Sequence, residues 1–127
     1  MNENRHYAFY GSLRLGMENY VLFEDGLEFL GKAELRGFKI FSLIDYPYAI
    51  ATENENDCIV VELFKVTNIR TEELIHQVEM DAGYIFTNIE IAKQKFGIYL
   101  FTEIRDENMW VKSGDWVAYK SSCAFES

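Results

Sequence analysis

Most apolar positions fall in short runs with a period of two, a pattern that predicts a sheet interrupted by one clear helix. The first run, Tyr7-Ala8-Phe9-Tyr10, is aromatic and stops at Gly11, as a strand entering a turn does. Residues 11–16 then form a loop whose glycines, Gly11 and Gly16, tolerate positive φ, and residues 18–23 have the pattern of a short helical segment. Residues 28–35 and 37–41 alternate or run apolar around Gly31 and Gly37, which predicts strands that bend or meet at bulges. Asp45-Tyr46-Pro47-Tyr48 predicts a turn, because proline fixes its own φ and pushes Tyr46 toward extended geometry; residues 49–52 extend again. A polar connector over residues 53–57 leads into a buried strand over residues 58–64, interrupted by one carboxylate, Glu62.

The helix is expected to start after Thr71, whose hydroxyl suits a cap, with Glu72 and Glu73 at the positive end of its dipole. It should be short and stop at Gly83. At about 100° per residue, Leu74, Ile75 and Val78 share one apolar arc, and Glu79 lies at the edge of that arc in the last turn. Residues 87–92 alternate, 93–95 make a polar tip and 97–101 return as a buried strand, together a hairpin. Trp110-Val111 and residues 115–119 read as final extended pieces, with a tail that frays after Lys120.

Composition narrows the class. A chain of 127 residues with 49% hydrophobic content fits one domain, residues 1–127, large enough to hold its core without disulfides or a structural metal. Twelve Lys and Arg against 21 Asp and Glu, a formal charge of −9, argue against nucleic acid and anionic membrane as partners. No segment approaches the roughly 20 apolar residues of a membrane helix, and the start Met-Asn-Glu-Asn-Arg-His has no signal-peptide pattern, so a cytoplasmic protein is expected. Cys58 and Cys123 belong to no Cys-x-x-Cys pair and are expected to be reduced; His6 and His76 are far apart, so no metal site is expected.

The chemistry concentrates where the first strand delivers its glycine loop. Successive amides of a tight turn form a concave donor site for an anion, and glycine leaves the approach open, although an ordinary turn has the same composition. The string Tyr10-Gly11-Ser12-Leu13-Arg14, followed by Gly16 and Asn19, resembles the gamma-glutamylcyclotransferase superfamily, particularly its small bacterial and AIG2-like branch. The similarity continues through Tyr46-Pro47, Val61-Glu62-Leu63-Phe64 and the helix end from Val78 to Tyr84.

The resemblance implies a compact α+β fold, a barrel-like mixed sheet with a few short helices, and one cavity between the glycine loop and the acidic helix end. Family members that are enzymes cyclise a γ-glutamyl group: its α-amine attacks its own γ-carbonyl, releasing the attached amine or amino acid and leaving 5-oxoproline, with no cofactor or metal. By the resemblance, Tyr10, Gly11, Ser12 and Leu13 line the substrate loop and Glu79 is the acid–base residue. The implied partner is a small-molecule γ-glutamyl substrate. A non-catalytic module that keeps the cavity to bind a small metabolite or a peptide terminus is the alternative. Nothing in the sequence fixes an oligomeric state.

One carboxyl can serve both proton transfers if its pKa lies near the working pH, and a helix C-terminus beside apolar residues pushes it that way. Ser12 lacks a Gly-x-Ser-x-Gly elbow and a histidine partner, which suits hydrogen bonding better than attack. Arg14 either reaches the substrate carboxylate or faces solvent; Tyr84 either walls the cavity or packs; Glu62 either faces outward or adds a second polar group to the cavity. Two departures stand out: many relatives carry Asp where this chain has His76, and Arg where Phe86 and Thr87 stand.

Overall fold

The computed structural model describes residues 4–126, the side chains of 123–126 excepted, so that of Cys123 lies outside the described residues. The order is β1 (His6–Phe9), α1 (Glu18–Phe23), a 3-10 turn, β2 (Leu27–Arg36), β3 (Phe38–Ser42), β4 (Pro47–Ala51), β5 (Cys58–Val66), α2 (Ile69–Asp81), β6 (Ile85–Ile91), β7 (Gln94–Leu100), a second 3-10 turn and α3 (Trp116–Glu126). The five-stranded sheet runs β2-β5-β1-β7-β6, and β3 and β4 form a separate ribbon. β1 pairs antiparallel with β5 and parallel with β7, so the sheet is mixed. The expected α+β fold with few helices is present, but β2 and β6 remain edges and the sheet does not close into a barrel.

β1 shows why both faces are covered. Tyr7 and Phe9 join Phe64, Val66, Ile75, Tyr84 and Tyr99 in a cluster on one face, while Ala8 joins Ile59, Val61, Ile98, Leu100 and Trp116 on the other. A central strand buried on both sides reads as an unbroken apolar run, as Tyr7 to Tyr10 does. The expected bulge lies at the register shift between Phe29 and Gly31, where β2 pairs with β5. β6 and β7 form the expected hairpin, but its turn is Ala92 and Lys93, at φ of 51° and 67°, so Gln94 and Lys95 already belong to β7.

Three expectations are corrected by local hydrogen bonding. Pro47 and Tyr48 open β4 rather than lie in the turn; the reversal precedes them, with the Leu43 amide donating to the Tyr46 carbonyl at 2.8 Å and Ile44 at φ 79°. The α2 cap is Asn68, whose Oδ1 accepts from the Thr71 amide at 2.8 Å, so Thr71 sits inside the first turn of a 13-residue helix. Residues 116–119 are helical, not extended: Asp115 Oδ1 accepts from the Ala118 amide at 3.2 Å and starts α3, which continues past Lys120. Among the described residues no helix is long and apolar enough to cross a membrane.

Gly114 docks the start of α3 onto β5. Its carbonyl accepts from the Val60 amide at 2.8 Å, its φ is +69°, and a Cβ there would lie 2.1 Å from the Cys58 carbonyl oxygen. Backbone cannot yield as a flexible side chain would, so Gly114→Ala should cost about 2 kcal/mol or more, read as a lower denaturation midpoint at unchanged slope.

Candidate active site

The loop after β1 is wound onto the first turn of α1. The Ser12 carbonyl accepts from the Asn19 and Tyr20 amides, each at 3.0 Å, and the Ser12 hydroxyl accepts from Asn19 Nδ2 at 2.7 Å. Ser12 is therefore held within the loop, with no histidine beside it. Among the described residues the amides of Gly11, Ser12 and Leu13 donate to no protein acceptor, although all three residues border one cavity. Consecutive free amides of this kind make an anion cradle. Gly11 is required by its neighbour: a Cβ there would lie 2.6 Å from Pro47 Cγ.

The cavity, about 370 Å³, lies between this loop, the bend before β4, the first turn of α1 and the end of α2. Gly83, at φ +96°, ends α2 as expected. Its amide donates to the Met80 carbonyl and the Tyr84 amide to the Glu79 carbonyl, both at 3.1 Å, so the reversing chain brings Tyr84 back beside Glu79. Tyr10, Gly11, Ser12, Leu13, Glu79 and Tyr84 all line the cavity.

Burial pushes the Glu79 carboxyl from its ordinary value up to about 7. Among the described residues no hydrogen bond or ion pair engages that carboxyl. The sequence pointed to both the helix dipole and desolvation; desolvation is the push the structure resolves. The phenols of Tyr84 and Tyr99 are raised by burial first and the Glu79 charge next, and that of Tyr10 by burial, then Tyr84 and Glu79. All three rings thus lie within electrostatic reach of the carboxyl. The Tyr10 hydroxyl donates to the Tyr99 carbonyl and accepts from the Ala49 amide at 3.1 Å, and the Tyr84 hydroxyl donates to the Pro47 carbonyl. Tyr10 is therefore a fully engaged wall, and Tyr84 ties the end of α2 to β4.

Arg14 neither lines the cavity nor faces solvent. It is 2% exposed; its Nε donates to Glu62 Oε2 at 2.9 Å and its Nη1 to Asp115 Oδ1 at 2.7 Å. Glu62 also accepts from the Leu15 amide at 2.7 Å, so it too is neither outward-facing nor part of the cavity. This buried group ties the loop to β5 and to the start of α3. Long side chains can turn under a loop as easily as over it, and nothing local to Arg14 tells the two apart.

The inward face of α2 also differs from the apolar arc. Leu74 and Val78 are 44% and 49% exposed, while Glu72 and Ile75 are buried and Glu79 faces the cavity. Tyr99, which sequence reasoning passed over, lines the cavity from β7, with its hydroxyl 3.0 Å from His76 Nδ1. The available signal was its place in the alternation: Ile98 and Leu100 face one side of the sheet, leaving Tyr99 on the side of Tyr7 and Phe9. Glu18 and Asp45 also line the cavity, and no Lys or Arg does so. Among the described residues no group of three or more His, Cys, Asp or Glu side chains is gathered so as to hold a metal ion. What the arrangement offers is an unpaired proton acceptor, poised near neutrality, in one small cavity with free amide donors.

Residues 7–118 match the sequence profile of the family described as gamma-glutamyl cyclotransferase, AIG2-like. Similar solved structures include an uncharacterised protein from Pyrococcus horikoshii, 23% identical at a TM-score of 0.78, covering 94% of this chain and 96% of that one. An AIG2-like protein from Mus musculus is 15% identical at a TM-score of 0.70, covering 88% and 87%. The protein ytfP from Escherichia coli is 22% identical at a TM-score of 0.69, covering 91% and 98%. At these identities the structures share the fold. No curated protein matches the chain in sequence.

The buried ion pair yields a stability prediction. Arg14→Met should cost about 3 kcal/mol or more, because it strands the Glu62 carboxylate away from water. Arg14→Met combined with Glu62→Met should recover much of that loss; chemical denaturation of both variants measures the difference.

Proposed function

The chain belongs to the gamma-glutamyl cyclotransferase, AIG2-like family, and from that premise we propose that it cyclises a γ-glutamyl amine or amino acid to 5-oxoproline, with Glu79 carrying the proton. The observation that supports this reading above all is the Glu79 carboxyl, unpaired and raised to about 7, in the same cavity as the free amides of Gly11, Ser12 and Leu13.

The reaction follows from those two features. The amides receive the substrate's α-carboxylate, which leaves the α-ammonium and the folded γ-glutamyl arm directed into the cavity. Ionised Glu79 takes one proton from the ammonium. The freed nitrogen lone pair attacks the γ-carbonyl carbon, closing the five-membered ring and placing negative charge on the carbonyl oxygen. As the tetrahedral centre collapses, the bond from the γ-carbon to the leaving nitrogen breaks and Glu79 returns its proton to that nitrogen. No water is consumed and the carboxyl ends in its starting state. A group with pKa near the working pH serves well in both directions, and ring closure within one bound molecule gains from proximity.

The cavity's own charge bears on the leaving group. With Glu18 and Asp45 among its walls and no basic side chain there, a neutral or cationic leaving amine fits better than one bearing a free carboxylate.

The test is 5-oxoproline release from a panel of γ-glutamyl amines and γ-glutamyl amino acids. Product should form fastest with the amines, and Glu79→Gln should lower turnover by about 100-fold or more with circular dichroism unchanged. Because the ionised carboxyl is the base in the free protein, kcat/KM should rise with pH through about 7. Ligand-induced thermal stabilisation with no product from any compound would overturn the enzymatic reading and favour a binding module.

A further inference from the structure

The inward face of α2 carries Glu72, His76 and Glu79 at successive spacings of four and three residues, the repeat of one helical stripe. Facing it, β1 and β7 present Tyr7 and Tyr99, whose rings stack with centroids 6.2 Å apart and 4° between planes. Tyr7 donates to Glu72 Oε2 at 2.6 Å, and Arg5 Nε lies 3.7 Å from the other oxygen of that carboxylate. Tyr99 is held differently. Its hydroxyl is 3.0 Å from His76 Nδ1, one helical turn before Glu79, and Tyr99 borders the cavity itself. Phe86 packs edge-on against both the His76 and Tyr99 rings, at 5.9 and 5.5 Å, and so limits how the pair can turn.

Resting on the cyclotransferase reading, we infer that Tyr99 is a second substrate-binding group for the α-ammonium: its hydroxyl proton is directed onto His76 Nδ1, leaving an oxygen lone pair for the ammonium beside Glu79. A phenol has one proton to donate and two lone pairs to accept with. Burial and the nearby carboxylates keep the Tyr99 phenol protonated. A neutral imidazole with its hydrogen on Nε2 accepts that one proton at Nδ1, and the phenol oxygen then faces the cavity as an acceptor only. An ammonium brings three donors, of which Glu79 accepts one; a fixed second acceptor sets the direction of the nitrogen lone pair once the first proton has left. Tyr99 keeps its own proton throughout, and the transferred proton travels only between substrate and Glu79. The other wall tyrosines are arranged otherwise: the Tyr10 oxygen is already occupied by the Ala49 amide, and the Tyr84 hydroxyl is tied to β4 through Pro47. His76 touches no substrate in this scheme; it is a positioning residue.

The experiment compares kcat/KM for a γ-glutamyl amine with the inhibition constant of glutaramic acid, the des-amino counterpart of glutamine, which retains the carboxylate and amide but has no ammonium. Tyr99→Phe should lower kcat/KM by about 10-fold or more while moving the glutaramic acid constant by less than about twofold, since a hydrogen bond to a charged group is lost for one ligand only. His76→Leu should reproduce that pattern. His76→Asn, whose amide oxygen occupies nearly the place of Nδ1 and can accept the phenol proton, should restore most of the rate. If wild-type protein is active but Tyr99→Phe matches it, or weakens both ligands together, or Asn fails to rescue, the role of Tyr99 and His76 is overturned and the cyclotransferase reading stands. If wild-type protein releases no 5-oxoproline, that reading falls and takes the inference with it.

Discussion

A carboxyl group withheld from water and given no partner is the constraint around which the site is arranged. An ionised carboxylate in such surroundings is costly, and proteins ordinarily relieve the cost with a cation or hydrogen bonds. Here both kinds of relief appear nearby and neither reaches Glu79. Glu62 has Arg14 and the Leu15 amide, and Glu72 has Tyr7 and Arg5. The contrast between these paired acids and the unpaired one marks Glu79 as the group whose protonation is free to change.

The surrounding polar groups are consistent with that division. Ser12 is occupied by Asn19, Tyr10 by Tyr99 and Ala49, and Tyr84 by Pro47, so the walls are held in place without drawing on the carboxyl. The loop amides of Gly11, Ser12 and Leu13 remain open. A guest that brings a carboxylate for the amides and an ammonium for Glu79 would satisfy both at once, which is the electrostatic pattern of an α-amino acid head group. The fold supports this with rigid pieces: the Gly83 reversal fixes Glu79 against Tyr84, Pro47 fills the space that Gly11 leaves, and the buried group around Arg14 ties the loop to β5.

What could be read from the sequence was what is set locally. The glycine loop after an aromatic strand, the stop at Gly83 and the β6–β7 hairpin each depend on a few adjacent residues, and all are present. What escaped depends on partners distant in the chain. Arg14 meets an acid 48 residues away and another 101 away. Tyr99 faces the cavity because β7 lies beside β1, a parallel pairing that periodicity does not specify. The arc expected on α2 failed for an instructive reason: the helix turns Glu72 and Glu79 inward and leaves Leu74 and Val78 half exposed, so a rule that assigns apolar residues to the core fails where a functional stripe displaces them. Local capping by Asp115, rather than any apolar pattern, turned the expected last strand into α3.

The central claim concerns the protonation of one side chain, and carbon-detected NMR titration of the Glu79 carboxyl, assigned by comparison with Glu79→Gln, tests it most directly. A midpoint near 7 is the result this account predicts. A midpoint at the ordinary glutamate value of about 4.3 would contradict it, because a carboxyl ionised that readily would have to be solvated or paired in the folded protein.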